Sequence, residues 1–285
     1  MRTHQIVGGG GVKLHVVETG NQQGRPIVFI HGISQCHLQW NRQMDSSLAG
    51  DHRLIALDMR GHGASDKPAN GYDDSKLWAD DVNAVIRDLG LDHPVLSGWS
   101  YGPLVILDYI RHYGEERLGG IQFVGGVTKL GSPDATSVLT SEFLSVVPQF
   151  LSNDAETCVT GLKGLLNLCF AQEPLPSELY TMLGYNVSVP SYVRQGMFSR
   201  SFNNDDLLPK IRKPVLITHG ALDAIVKPAV VDQHKSGMPH AQIQLMKNIG
   251  HGAFWDDAAA FNERLHAFCE SLESKSAPAR VVRAV

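Results

Sequence analysis

Short apolar runs alternate along this chain with helix-length amphipathic stretches, and each run stops at a glycine or a polar residue. The runs are residues 26–30 before His31 and Gly32, 53–57 before Asp58, 94–96 before Ser97, 120–124 before Gly125, and 214–218 before His219 and Gly220. Runs this short and this rich in Val, Ile and Leu suit strands buried on both faces. The stretches between them, such as 75–89 and 104–113, supply the helices that cover those faces. The order is therefore βαβα, and the expected fold is α/β: a mostly parallel central sheet flanked by helices. Residues 12–18 are expected to add an antiparallel edge.

The pattern breaks after Gly126. Until about Lys213 there are no strong strand runs, but helical patches occur at 140–150, 155–170 and 176–183. This reads as a helical insertion over the sheet, whose Leu, Phe, Met and Tyr serve both as a helical core and as lining for an apolar pocket. The expected organisation is a core of residues 1–126 and 213–275, an insertion at 127–212, and a flexible tail at 276–285. The last helix, 258–272, carries Phe261, Leu265 and Phe268 at helical spacing, and the stretch from 274 onward reads as frayed.

At 285 residues, with 43% hydrophobic and 19% charged residues, the chain can bury a sizeable core, which argues against disorder. Its net charge of −4 comes without any run of Lys or Arg, so nucleic acid is not an expected partner. No segment is apolar over signal-peptide or membrane-spanning length. A cytoplasmic protein with no membrane partner, monomeric or homodimeric, is expected.

Several chemistries fail on inspection. Gly8 to Gly11 precede a strand instead of following one, so they make no dinucleotide fingerprint. Gly126 to Gly131 lead into Ser132 and Pro133, which excludes a phosphate loop. The four cysteines, Cys36, Cys158, Cys169 and Cys269, form no C-x-x-C pair and read as reduced, packed thiols. With no HExxH or similar cluster, neither a metal nor a cofactor is expected.

One corner carries positive chemistry. Gly98-Trp99-Ser100-Tyr101-Gly102 follows a strand and opens a helix, the context in which a G-x-S-x-G turn exposes its serine. Glycines flank the serine because strand and helix press together where a Cβ would clash. A serine hydroxyl is a poor nucleophile, so it needs an imidazole to take its proton and a carboxylate to orient that imidazole. Asp223, after run 214–218, and His251, after residues 242–246, supply them in the order Ser, Asp, His at strand carboxyl ends. His31, His62 and His219 also follow strands but read as structural, His62 as loop packing. Asp256 and Asp257 rival Asp223 but more plausibly begin the final helix. The backbone N–H groups of Ile33 and Tyr101 are the expected oxyanion donors, with Gly32 letting the loop bend. Ser34, Trp99, Phe143, Met182, Tyr185 and Val226 are candidates for the substrate pocket, each as readily explained by core packing.

With these residues in hand, the chain resembles the α/β-hydrolase superfamily, in the branch of small bacterial carboxylesterases, cofactor-free haloperoxidases (perhydrolases) and epoxide hydrolases. The resemblance rests on His31-Gly32 followed by Trp40, on the stretch from Asp58 to Asp66, on the corner at Ser100, on His219-Gly220-Ala221-Leu222-Asp223 and on Gly250-His251. It implies a helical cap between Gly126 and about Lys213. Epoxide hydrolases and haloalkane dehalogenases of this type carry aspartate where Ser100 stands, so those reactions are disfavoured. The family often has a small residue where this chain has Pro103. The expected activity is hydrolysis of carboxylic esters of small to medium apolar substrates through an acyl-enzyme. Alternatives are lactone, thioester, amide or carbon–carbon hydrolysis or perhydrolysis by the same triad, and a slow-turnover ligand receptor of the same fold.

Overall fold

Val, Ile and Leu at consecutive positions become strands with no exposed face. In the computed structural model, which describes residues 1–273, the strands are β1 (Arg2–Val7), β2 (Lys13–Gly20), β3 (Pro26–Ile30), β4 (Arg53–Leu57), β5 (Val95–Trp99), β6 (Gly120–Val124), β7 (Lys129–Leu130), β8 (Phe202–Asn203), β9 (Val215–Gly220) and β10 (Gln242–Met246). Eight form one sheet in the order β1-β2-β4-β3-β5-β6-β9-β10, while β7 and β8 pair with each other. Every residue of β3, β5, β6 and β9 is buried. From β4 to β10 the neighbours run parallel.

The expected antiparallel strand at 12–18 is β2, but it is not an edge: it pairs with β1 on one side and β4 on the other. The edge is β1. Its sequence, RTHQIV, buries only Ile6, so it lacks the apolar signal by which the other strands announce themselves. The run at 94–96 continues as strand through Ser97 to Trp99. Ser97 donates to Gln122 (2.8 Å), Gln122 to Thr218 (3.2 Å) and Thr218 to Gln244 (3.1 Å), a side-chain chain across four strands that satisfies these interior polar groups.

Helices α1 (Asn41–Met44) and α2 (Leu48–Asp51) are single turns, followed by α3 (Ser75–Asp88) and α4 (Gly102–Tyr113). Between β6 and β9 the chain makes α5 (Pro133–Ser137), α6 (Ser141–Phe150), α7 (Ala155–Cys169), α8 (Pro176–Val187) and α9 (Ser191–Phe198). Of these, α5 and α9 fall outside the helical patches expected from the sequence. One is only five residues long and the other opens on Ser-Tyr-Val-Arg-Gln, too polar for a clear apolar period. The remainder is α10 (Val230–Gly237), α11 (Ala253–Asp256) and α12 (Ala258–Glu273). The tail expected from 274 onward lies outside the described residues, among which no helix is long and apolar enough to cross a membrane.

Helix α3 packs on α4, which lies against β5 and β6. From α12, Phe268 and Leu272 lie against Gly120 of β6, where a Cβ would meet both at about 3.0–3.1 Å. An aromatic cluster ties the carboxyl ends of the strands together: Trp40 stacks on Phe29 (4.8 Å) and meets Phe254 (4.4 Å), which meets Trp99 edge-on (4.9 Å). Truncating any one of these buried rings to alanine costs about 3–5 kcal/mol.

Strand β3 lies between β4 and β5, so the chain leaves it in one direction for β4 and later returns on its other side. At such a reversal the loops diverge and open a crevice at the carboxyl ends. The segments after β3 and β5 share that crevice.

Candidate active site

Ser100 sits immediately past β5 with φ 59°, one of four non-glycine residues with positive φ among those described. Two others, Ser34 and Asn248, belong to the loops after β3 and β10. Each such conformation stores about 1–3 kcal/mol of strain that surrounding structure must hold. Here the holding is steric. A Cβ on Gly98 would come within 2.6 Å of the Gly102 backbone, and one on Gly102 within 2.6 Å of the Ile30 carbonyl oxygen. The Ser100 N–H is fixed to the Val124 carbonyl of β6 at 2.9 Å. Pro103 lies in the first turn of α4, where a missing N–H is tolerated, and Gly126 leaves it room.

Asp223, in the loop after β9, is buried. Its Oδ1 accepts the backbone N–H groups of Ile225 and Val226, both at 2.8 Å. Its Oδ2 lies 2.8 Å from His251 Nδ1 and 3.1 Å from His219 Nε2. Burial alone would raise this carboxyl, but the charge and hydrogen bonds of His251 and His219 outweigh it and hold it below the ordinary carboxylate range. His219, read from the sequence as structural, therefore steadies the acid.

The His251 loop follows β10 at the far edge of the sheet and must lean back to reach β5. Trp99 Nε1 donates to the His251 carbonyl (3.0 Å), and the imidazole rests on Gly125, where a Cβ would come within 3.0 Å of Nδ1. Asp256 does not open the final helix. Its carboxylate accepts the N–H groups of Gly250 (2.7 Å) and Ala171 (2.9 Å), strapping the His251 loop to the end of α7, while Asp257 binds the Ala260 N–H in α12. His251 Nε2 is buried without a hydrogen-bond partner. It shares a cavity with Ser100, and no hydrogen bond joins the two among the described residues.

Opposite Ser100 lies the loop after β3. The backbone N–H groups of Ile33 and Tyr101 have no protein acceptor among the described residues, and both residues line a cavity at Ser100. Gly32 permits the approach: a Cβ there would come within 3.0 Å of Ser100 Cβ. Two buried histidines shape this loop. His31 donates from Nδ1 to the Gly32 carbonyl (2.7 Å) and accepts the Met59 N–H at Nε2 (3.1 Å). His62 donates from Nδ1 to the Arg60 carbonyl (2.9 Å) and accepts the Ser34 N–H at Nε2 (3.2 Å). Burial lowers them to about 4 and about 3, so both stay neutral and can accept. His62 is thus more than packing: it anchors the strained Ser34.

Two adjoining cavities meet at Ser100, of about 20 Å³ and about 40 Å³, room for a water or two. Trp99 and Phe143 line the first; Phe143 and Val226 line the second. Three other pocket candidates are not brought there. Ser34 is buried within the loop after β3 and lines neither cavity, while Met182 and Tyr185 line a separate surface groove with Arg42 and Trp255. In a helix, side chains only three residues apart share a face, and the sequence does not say which body that face meets. Leu165, Cys169 and Ile225 line the first cavity without having been singled out.

The helical segment between β6 and β9 lines these cavities and is tied to the core by specific links. Thr140 N–H donates to the Ile225 carbonyl (3.0 Å) and Lys227 N–H to the Val138 carbonyl (2.8 Å), pairing the segment with the Asp223 loop. Arg200 binds both Asp108 oxygens (2.7 and 2.8 Å) and the Tyr101 hydroxyl (3.1 Å).

Known proteins resemble this chain along most of its length. The family described as the alpha/beta hydrolase fold matches residues 25–258. The AB hydrolase superfamily protein YisY of Bacillus subtilis is 29% identical over 267 residues, 91% of this chain and 96% of that protein. The bifunctional esterase/perhydrolase DCH of Acinetobacter calcoaceticus is 27% identical, over 92% of this chain and 97% of its own. The crystal structure of the esterase RhEst1 from Rhodococcus sp. ECU1013 superposes with a TM-score of 0.89 at 34% identity, covering 95% of this chain and all of that one.

Proposed function

Since this chain belongs to the α/β-hydrolase family, we propose that it is a serine hydrolase of carboxylic esters with small to medium apolar groups. The observation that carries this reading is the convergence, on two small adjoining cavities that meet at Ser100, of that strained serine, an unpartnered His251 Nε2 backed by buried Asp223, and the free N–H groups of Ile33 and Tyr101. Ser100 Oγ attacks the ester carbonyl carbon and its proton passes to His251 Nε2. Asp223 keeps the Nδ1 proton in place and stabilises the imidazolium. The carbonyl oxygen, now negative, is held by the two backbone N–H groups, each worth about 3–4 kcal/mol of barrier. The alcohol leaves with the proton from His251, and water repeats the sequence on the acyl-enzyme. Phe143, Leu139, Ile225 and Val226 favour an apolar acyl group, and the helices between β6 and β9 act as the cap that must shift to admit it.

Perhydrolysis is a second reading, supported by the similarity to the bifunctional Acinetobacter enzyme. It needs only that hydrogen peroxide replace water in attacking the acyl-enzyme.

The test is steady-state hydrolysis of p-nitrophenyl esters from acetyl to palmitoyl, beside Ser100→Ala. Turnover should fall by roughly 10⁴-fold or more in the variant, with an optimum at short chain length. A folded wild type no faster than the variant across the series would remove ester hydrolysis. Peracid formation on adding peroxide to the active enzyme would establish the second reading.

A further inference from the structure

Away from Ser100, three residues distant in sequence bring metal-binding atoms together: His15 on β2, His37 just beyond the Ile33 loop, and Asp58 at the end of β4. We propose that His15, His37 and Asp58 form a site for a divalent transition-metal ion, zinc in the first instance, independent of the esterase reading.

The carboxylate is prepared for it. Asp58 is buried, and two of its lone pairs are occupied by backbone amides: Oδ1 accepts the His37 N–H (2.6 Å) and Oδ2 the Ala64 N–H (2.9 Å). Gly63 leaves it the space, since a Cβ there would come within 2.2 Å of Oδ2. The remaining lone pairs face two imidazoles. His37 Nδ1 lies 2.9 Å from Oδ1 and 3.1 Å from Oδ2, and His15 Nδ1 lies 3.0 Å from Oδ2. One ligand atom from each residue falls within 4.8 Å of the others. The rings stand 5.0 Å apart and tilted by 55°, so both can turn a nitrogen toward the carboxylate.

A tetrahedral zinc with bonds of about 2.0–2.1 Å holds its ligands about 3.3–3.4 Å apart. The imidazole-to-carboxylate distances therefore need to widen by only a few tenths of an ångström, and the two imidazole nitrogens, within 4.8 Å of each other, settle to the same separation by turning their rings. The amide donors that fix Asp58 are the outer support such a ligand requires. The imidazole side chains are 18% and 19% exposed, which leaves a path for the ion and for a water to complete its coordination. On binding, each neutral imidazole gives its Nδ1 proton to solvent and takes one at Nε2, so no net proton is released. Two imidazoles and one carboxylate suit zinc and cobalt better than calcium or magnesium. The ion would fasten β2, the segment leading from Ile33 and the loop after β4. Its effect is on stability, and it takes no part in acyl transfer.

The experiment is calorimetric titration of chelator-treated full-length protein with zinc chloride, with thermal unfolding read in parallel and cobalt chloride as a spectroscopic probe. Wild type should bind one zinc per chain and gain Tm, and the cobalt form should show visible d–d bands. His15→Gln and His37→Gln should each weaken binding at least tenfold and lose the Tm gain. His266→Gln, in a second cluster with His52 and Glu270, should leave both unchanged. Both tested imidazoles are partly exposed, so the variants should fold; if one does not, the other and the wild-type cobalt spectrum decide. The proposal is overturned if wild type binds no zinc, if the His15 or His37 variants bind it equally well, or if His266→Gln abolishes it. In those cases the cluster is a hydrogen-bonded His-Asp-His brace only.

Discussion

The loops at the carboxyl ends of β3, β5, β6, β9 and β10 and the helical segment between β6 and β9 both line the space around Ser100, but strained backbone and buried arginines share the holding differently in the two. In the loops, backbone touches backbone. Gly32, Gly98, Gly102, Gly125 and Gly220 each sit where a Cβ would come within about 3.0 Å of another group, and Ser34, Ser100 and Asn248 occupy left-handed conformations. The helical segment has backbone contacts too, at Gly131 and Gly161, but buried arginine side chains add to them: Arg194 donates to the Phe150 carbonyl (2.7 Å), and Arg200 ties the segment's end to Asp108 and Tyr101. What the difference teaches is that the groups proposed to react need positions fixed to a fraction of an ångström, which close backbone packing with glycine supplies more directly than long side chains can.

The largest expected effect tests the strained corner. Ser100→Gly removes the proposed nucleophile, so kcat/KM should fall by roughly 10⁴-fold or more. It also relieves the left-handed conformation, so denaturant unfolding should find stability unchanged or raised by about 1 kcal/mol. A loss of stability larger than that would mean the corner is not strained.

Next comes one substitution made in both regions. Gly102→Ala drives a Cβ to 2.6 Å from the Ile30 carbonyl and should cost about 3 kcal/mol or more, or prevent folding. Gly184 lies in α8, where an added Cβ would meet nothing within 4 Å, so Gly184→Ala should stabilise by about 0.5–1 kcal/mol through helix propensity. Equal effects at the two positions, measured by thermal unfolding, would erase the contrast.

A pH series sharpens it further. His31 and His62, lowered from 6.5 to about 4 and about 3, stay neutral when folded but protonate in the unfolded chain. Their contribution to stability is complete above about pH 6.5 and is lost as pH falls from there toward 4, at up to about 1.4 kcal/mol per pH unit for each proton. His62→Gln, which keeps an acceptor for the Ser34 N–H, should flatten that slope in urea unfolding between about pH 7 and pH 5. An unchanged slope would show that His62 does not stay neutral in the fold.

Much of the candidate site was legible because its rules are local. An apolar run of five ending at glycine says strand and turn without reference to anything distant, and G-x-S-x-G between strand and helix says where a serine is exposed. The order Ser100, Asp223, His251 followed from the same reading, and the structure brings Asp223 and His251 to 2.8 Å. What depended on distant partners was not legible. Asp256 looks like the start of a helix until Gly250 and Ala171 are seen to donate to it. Met182 and Tyr185 look like pocket lining until the Tyr185 hydroxyl is seen to donate to Gln39 and both residues to border a separate groove with Arg42 and Trp255. A spacing-based search that expects no metal also passes over His15, His37 and Asp58, because 20 or more residues lie between each and the next in the chain.

The sequence by itself determined the alternation of strands and helices, the steric need for glycine around Ser100, and the residue types available for acyl transfer, because periodicity and backbone sterics act over a few residues. Only the tertiary structure decided which polar groups satisfy one another, which face of each helix meets the sheet, and which of thirteen histidines is left with a buried, unpaired nitrogen beside the serine. Burial and hydrogen bonding depend on what surrounds a side chain, and that is fixed only when segments far apart in the chain close on one another.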